Sequence, residues 1–175
     1  MENEILLLVL SSMLLAGCMH EPQEKGYKVV RVIDGDTIIV QKDNINETIR
    51  ILGIDFIDLR KDKLNIWLSE TNGSKERITK CYKEGNEFVK ELIINEKVIL
   101  LVDEGVEPLV DRYDRKLRYI EFEDGDIRYD VGEELIKRGY ARMFDPSPGL
   151  CSRCEGYRTL QVTTKESGNG CLWSN

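Results

Sequence analysis

Tyr27-Lys28-Val29-Val30-Arg31-Val32-Ile33-Asp34-Gly35-Asp36-Thr37-Ile38-Ile39-Val40 decides the fold class. Two runs rich in Val and Ile flank Asp34-Gly35, a dipeptide that reverses the chain between apolar segments. Tyr27 to Ile33 and Thr37 to Val40 therefore read as paired strands. Residues 43–46 are polar and turn-like. Thr48 to Ile54 follows as a third strand, with Ile49 and Ile51 set off from Arg50 and Leu52 by the two-residue period. Three consecutive strands make an antiparallel meander.

Farther along, Asp58 to Thr79 shows no clear period and reads as a long polar loop containing Asn72-Gly73-Ser74. Loops of that length in a compact domain are usually functional or mobile. Glu84 to Asn95 reads as a helix with Phe88, Val89, Leu92 and Ile93 on one face. Val98 to Val102 is a buried strand, and Leu117 to Phe122 with Ile127 to Tyr129 form a hairpin. Asp130 to Gly139 is a helix with an N-cap, a Glu three residues later and a closing glycine. Ser152 and Glu155 offer a second capping box, opening a helix to about Glu166. The order of elements gives an α+β chain, a small barrel of about five strands with helices packed on it.

Outward from this domain, Ile5 to Leu15 is an apolar run interrupted only by Ser11 and Ser12. It is short for a bilayer span and runs into small residues, as an export signal does. Leu15-Ala16-Gly17-Cys18 resembles the lipobox of prokaryotic lipoproteins, which implies a lipidated Cys18 and a membrane-anchored, extracytoplasmic protein. The segment departs from an ordinary signal in carrying Glu2 and Glu4 with no Lys or Arg; the alternative is an uncleaved N-terminal anchor. The expected organisation is a signal at 1–17, a lipidated terminus and linker at 18–26, and one domain at 27–175. Besides Cys18, the cysteines are Cys81, Cys151, Cys154 and Cys171. In an exported chain they suggest two disulfides of open pairing, with a four-thiolate zinc site as the competitor.

Of the 175 residues, 41% are hydrophobic and 33% charged, which fits a globular chain. The net charge is −7, which opposes tight non-specific binding to nucleic acid. The single histidine, His20, precedes the domain, so acid–base work falls to carboxylates, arginines or metal-bound water. Three charge clusters have a matching chemistry: Asp34-Gly35-Asp36; Arg50 followed by Asp55 and Asp58; and Asp111-Arg112-Tyr113-Asp114-Arg115. Each by itself reads as a turn or a solvated edge. Jointly they supply oxygen ligands for a hard cation, planar donors for a phosphate and a carboxylate for a water proton.

Val32-Ile33-Asp34-Gly35-Asp36-Thr37, Arg50-Ile51-Leu52-Gly53-Ile54-Asp55 and Asp111-Arg112-Tyr113-Asp114-Arg115-Lys116-Leu117 resemble, in order, the signature segments of the staphylococcal nuclease family. Leu135 to Ala141 and Gly170-Cys171-Leu172-Trp173 are similar to later family features. The resemblance implies a five-stranded OB-type β-barrel with three helices and calcium-dependent hydrolysis of DNA and RNA to 3′-phosphate ends. By position, Asp36 and Asp55 match calcium ligands, with the Phe56 carbonyl in place of a threonine carbonyl. Arg50 and Arg115 match the arginines that clamp the scissile phosphate. Arg112, in place of a lysine, and Tyr113 match nucleotide-binding residues. Asp58 stands where the family carries the glutamate that handles the attacking water, and Phe56-Ile57-Asp58 replaces Thr-Pro-Glu.

Arg50, Arg112, Arg115, Lys116 and Arg118 are expected to form a positive patch on an acidic body. The competing function is a non-catalytic OB-type module binding nucleic acid or another ligand; a structural envelope protein is a third reading.

Overall fold

The computed structural model describes residues 23–106, 109–145 and 151–174. The expected signal, Cys18 and the first part of the linker lie outside these. The strands β1 (Gln23–Asp34), β2 (Thr37–Lys42) and β3 (Ile45–Ile51) form the meander, followed by the short β4 (Ile54–Phe56). Helices α1 (Lys61–Thr71) and α2 (Lys75–Ile93) come next, then β5 (Lys97–Leu101), β6 (Lys116–Asp124) and β7 (Ile127–Asp130). The chain ends with α3 (Val131–Lys137), β8 (Ala141–Met143) and α4 (Cys154–Glu166).

The sheet order is β3-β2-β1-β5-β6-β7, and a parallel β3–β6 pairing closes the first five strands into a barrel. This is the expected α+β OB-type fold. Closure comes from Ile49 to Ile51 lying beside Lys116 to Arg118. Val29, Ile38, Val40, Ile49, Val98, Leu100 and Ile120 fill the barrel with inward-facing aliphatic side chains. The β2–β3 reversal uses Asp43 and Asn44, both at positive φ, the geometry of a two-residue hairpin turn.

Several elements differ from the sequence reading. Strand β1 starts at Gln23, so residues 23–26 belong to the sheet rather than the linker, pairing with Leu100 and Leu101 of β5. The expected loop after Asp58 contains a whole helix, α1, and the first turn of α2, so the described residues hold four helices rather than three. Leu64, Trp67, Leu68 and Thr71 do recur at helical spacing. The stripe is narrow and the rest of the segment polar, which hides the period. Asn72 ends α1 in the left-handed region, and the Ser74 hydroxyl caps α2 by accepting the Arg77 N–H. Ile57, Leu64, Trp67, Ile78, Cys81 and Leu172 form a second core under α1.

Asp130 caps α3 as expected, accepting the Glu133 N–H at 3.1 Å. The second capping box does not form: Arg153 is the N-cap of α4, with no side-chain cap bond. The cysteines form two disulfides, Cys81–Cys171 and Cys151–Cys154, rather than a zinc site. The first ties the C-terminal segment to α2.

Candidate active site

Asp36 closes the β1–β2 hairpin. Its backbone N–H reaches the Asp34 carboxylate at 3.3 Å, and its carbonyl accepts the Ile51 N–H at 2.8 Å. The hairpin end is thereby tied to β3. Asp36 is buried, and all its oxygens are engaged. Oδ1 accepts the Thr37 hydroxyl at 3.0 Å, and Oδ2 accepts the Phe56 backbone N–H at 2.9 Å. Oδ2 also pairs with Arg50 Nη1 at 2.7 Å. Burial raises the Asp36 carboxyl to a pKa of about 6, although the Arg50 charge opposes the shift.

Arg50 lies opposite Thr37 in the β2–β3 ladder, which aims its guanidinium at the hairpin end. Its Nη2 is 3.7 Å from Asp55 Oδ1, so one arginine bridges both aspartates. Asp55 reaches this place because β3 turns sharply through Leu52-Gly53 into β4. Gly53 has φ +82°, and a Cβ there would lie 2.8 Å from the Tyr157 ring. Phe56 follows, its ring fitted between two glycines: a Cβ on Gly35 would meet it at 2.3 Å, and one on Gly85 at 2.7 Å. These two close approaches set the aromatic side chain directly under the hairpin that carries Asp36.

Arg115 is delivered by a loop pinned on Asp111. Asp111 Oδ1 accepts the Tyr113 and Arg115 N–H groups at 2.9 and 3.1 Å. Asp111 Oδ2 receives Arg115 Nε at 2.7 Å and Nη2 at 2.6 Å. Partial burial pushes the Asp111 carboxyl up, but these hydrogen bonds outweigh it and hold it below the usual carboxylate range. Arg115 Nη1 donates to the Thr37 hydroxyl at 3.1 Å. The hydroxyl in turn donates to Asp36, so Thr37 links the two sides of the site. Arg112 and Arg115 lie 4.8 and 5.3 Å from the Tyr113 ring, and Tyr113 is 60% exposed.

All the sequence-derived site residues within the described chain line one cleft of about 960 Å³: Asp36, Arg50, Asp55, Phe56, Asp58, Arg112, Tyr113 and Arg115. Two members of the expected positive patch do not. Arg118 is buried and paired with Glu24 at 3.1 Å, and Lys116 is held by Glu47 at 2.8 Å. Alternation along β6 turns these side chains elsewhere. Arg60, Lys63 and Arg142 line the cleft in their stead. Arg142 lies directly across the β4–β8 ladder from Asp55, a register that no local pattern in the sequence announces.

Asp58 is at the cleft but already engaged. Its Oδ1 accepts the Arg60 backbone N–H at 2.9 Å, and its Oδ2 accepts Arg60 Nε at 2.8 Å. Partial burial raises the Asp58 carboxyl, while the bonds from Arg60 outweigh this and hold it below its ordinary value.

Asp36 and Asp55 are oxygen donors of the kind a hard cation takes. Calcium accepts carbonyl, water and phosphate oxygens besides carboxylates, so two carboxylates lining one open cleft fit part of its shell. The desolvated Asp36 gains most from a cation beside it. Among the described residues, no cluster of three or more His, Cys, Asp or Glu stands ready as a complete metal site.

The family profile described as Staphylococcal nuclease homologue matches residues 48–175. The chain belongs to the staphylococcal nuclease family. The thermonuclease of Staphylococcus hyicus is 36% identical over 159 residues, 90% of this chain and 80% of that protein. The thermonuclease of Staphylococcus intermedius is 35% identical over 118 residues, 67% of this chain and 59% of its own length. An uncharacterized protein of Methanocaldococcus jannaschii is 34% identical over 121 residues, 67% of this chain and 58% of its own length. The chain thus spans less than two thirds of the last two. Helix α1, with Lys63, Trp67 and Glu70 and preceded by Arg60, occupies the stretch read from sequence as a loop.

Proposed function

We propose that this chain is a calcium-dependent phosphodiesterase that cuts DNA or RNA internally and leaves 3′-phosphate ends, lipid-anchored through Cys18 outside the cytoplasm. The observation that carries the enzymatic reading is convergence. Two aspartates and two arginines from three distant stretches of chain meet in one cleft beside an exposed tyrosine. The anchor rests on Leu15-Ala16-Gly17-Cys18; no helix among the described residues is long and apolar enough to cross a membrane.

In this reading Asp36, Asp55 and the Phe56 carbonyl hold the cation. A calcium ion there supplies Lewis-acid charge to the phosphate oxygens and the attacking water. Arg50 and Arg115 are planar donors aimed into the cleft, suited to a phosphodiester and to the extra charge of its pentacoordinate transition state. Arg50 is the present counter-ion of both aspartates, so a phosphate competes for a guanidinium already in place. Tyr113 offers a ring edge to a nucleobase or sugar, with Arg112 beside it for a neighbouring phosphate. Asp58 takes the proton of the attacking water once Arg60 releases one of its oxygens.

The second reading, a binding module without chemistry, draws on that same pair: Asp58 held on both oxygens by Arg60 is a weak base. Residues 21–175, oxidised, incubated with denatured DNA in calcium or in chelator, separate the two. Calcium-dependent cutting that falls about 100-fold or more in Arg115→Ala supports the enzyme. Retention of DNA without cutting supports the module.

A further inference from the structure

Asp55 is flanked by two guanidinium groups with different freedoms. Arg50 approaches Oδ1 at 3.7 Å, and in the proposed reaction a substrate phosphate competes for it. Arg142 places Nε at 3.2 Å and Nη2 at 2.8 Å from Oδ2. It is itself locked from behind: Nη1 pairs with Glu70, and its guanidinium lies 4.6 Å from the Trp67 ring centre. Both of those partners belong to α1. Cross-strand pairing with Asp55 fixes the backbone of Arg142 as well. Three side-chain partners, Asp55, Glu70 and Trp67, hold this arginine against the carboxylate.

We propose that Arg142 is a permanent internal counter-ion of Asp55 that sets the affinity of the two-aspartate site for a divalent cation, with α1 holding it there through Glu70 and Trp67. The proposal rests on the reading that Asp36 and Asp55 hold such a cation. A positive charge fixed on Oδ2 leaves Asp55 only Oδ1 to offer and repels an incoming cation. Glu70 offsets part of that repulsion. Arg142 is therefore a positioning residue, and α1 carries the groups that adjust the strength of the site.

Calcium binding to the oxidised wild-type domain and to variants, measured by calorimetry without nucleic acid, tests this. Arg142→Gln is expected to tighten binding about tenfold, the effect of removing a unit charge a few ångström away in a partly solvated site. Arg142→Lys, which keeps the charge but loses the paired hydrogen bonds and the stacking on Trp67, is expected to bind between wild type and Arg142→Gln, and Glu70→Gln to weaken binding about threefold. Equal or weaker binding by a folded Arg142→Gln overturns the proposal. If that variant fails to fold, Glu70→Gln decides alone, and unchanged or tighter binding by it overturns the proposal. Asp36→Asn distinguishes the two levels. Calcium binding by wild type that Asp36→Asn abolishes upholds the cation site even if the Arg142 effect is missing. No binding by wild type ends both.

Discussion

At the scale of single residues, the site keeps Asp36 at a cost to folding. Its carboxyl titrates near 6 in the folded chain, against about 4 when unfolded. The protonated form is favoured in the fold, so the stabilising contribution of that proton is present below about pH 4 and is lost as pH rises through 6. Above 6 the ionised, desolvated group costs stability. Asp36→Asn keeps the shape and an acceptor for the Phe56 N–H. Its melting temperature is therefore expected to exceed that of wild type at pH 8 in chelator, with the difference vanishing near pH 4. A variant less stable than wild type at pH 8 would contradict the assigned penalty. Asp58 runs the other way. Arg60 depresses its carboxyl, so Arg60→Gln should move the acidic limb of the pH–rate profile to higher pH, toward the ordinary carboxylate range. An unmoved limb removes Asp58 from the role of base.

At the scale of elements, α1 is the departure that matters. Trp67 is 1% exposed at the centre of the second core and also supports Arg142. Trp67→Ala is expected to lower stability by about 3–5 kcal/mol, read as a lower urea midpoint with little change in slope. A loss under about 1 kcal/mol would show that α1 packs loosely. The barrel was legible in the sequence because its strands carry dense Val and Ile with clear turns at Asp34-Gly35 and residues 43–46. The candidate site residues Asp36, Arg50, Asp55 and Arg115 were legible mainly through the family resemblance of the segments that carry them, since each charge cluster alone reads as a turn or a solvated edge. Helix α1 was not, because burying one tryptophan and two leucines takes only a thin apolar stripe amid polar residues. Arg142 and Arg60 were hidden for a different reason. Their partners are set by cross-strand register and by a tight local turn, neither of which leaves a periodic trace. Arg118 was misplaced by charge counting alone: a cation on a barrel strand faces whichever side alternation assigns it.

At the scale of the whole molecule, the Cys81–Cys171 disulfide spans 90 residues and joins α2 to the end of the chain. Closing a loop of that size restricts the unfolded chain by about 4–5 kcal/mol in the chain-entropy account. The double variant Cys81→Ser with Cys171→Ser should therefore lose a large fraction of total stability, whereas Cys151–Cys154, closing a very short loop, should matter less to the unfolding midpoint. The acidic net charge of −7 acts over the same scale. Much of the basic charge near the cleft is already paired within the fold: Arg50 with Asp36, Arg115 with Asp111, Arg142 with Asp55 and Glu70, and Arg60 with Asp58. A bound strand must compete with these internal carboxylates, and beyond a Debye length of about 8 Å the acidic body is screened from it. Affinity should therefore be modest and carried by few phosphate contacts. For about three contacts, log K against log salt should fall with a slope near −2 on single-stranded DNA. Arg112→Ala should flatten that slope by about 0.7 if its guanidinium meets a phosphate. A slope near zero in wild type would mean that bases or sugars, rather than phosphates, hold the strand in the cleft.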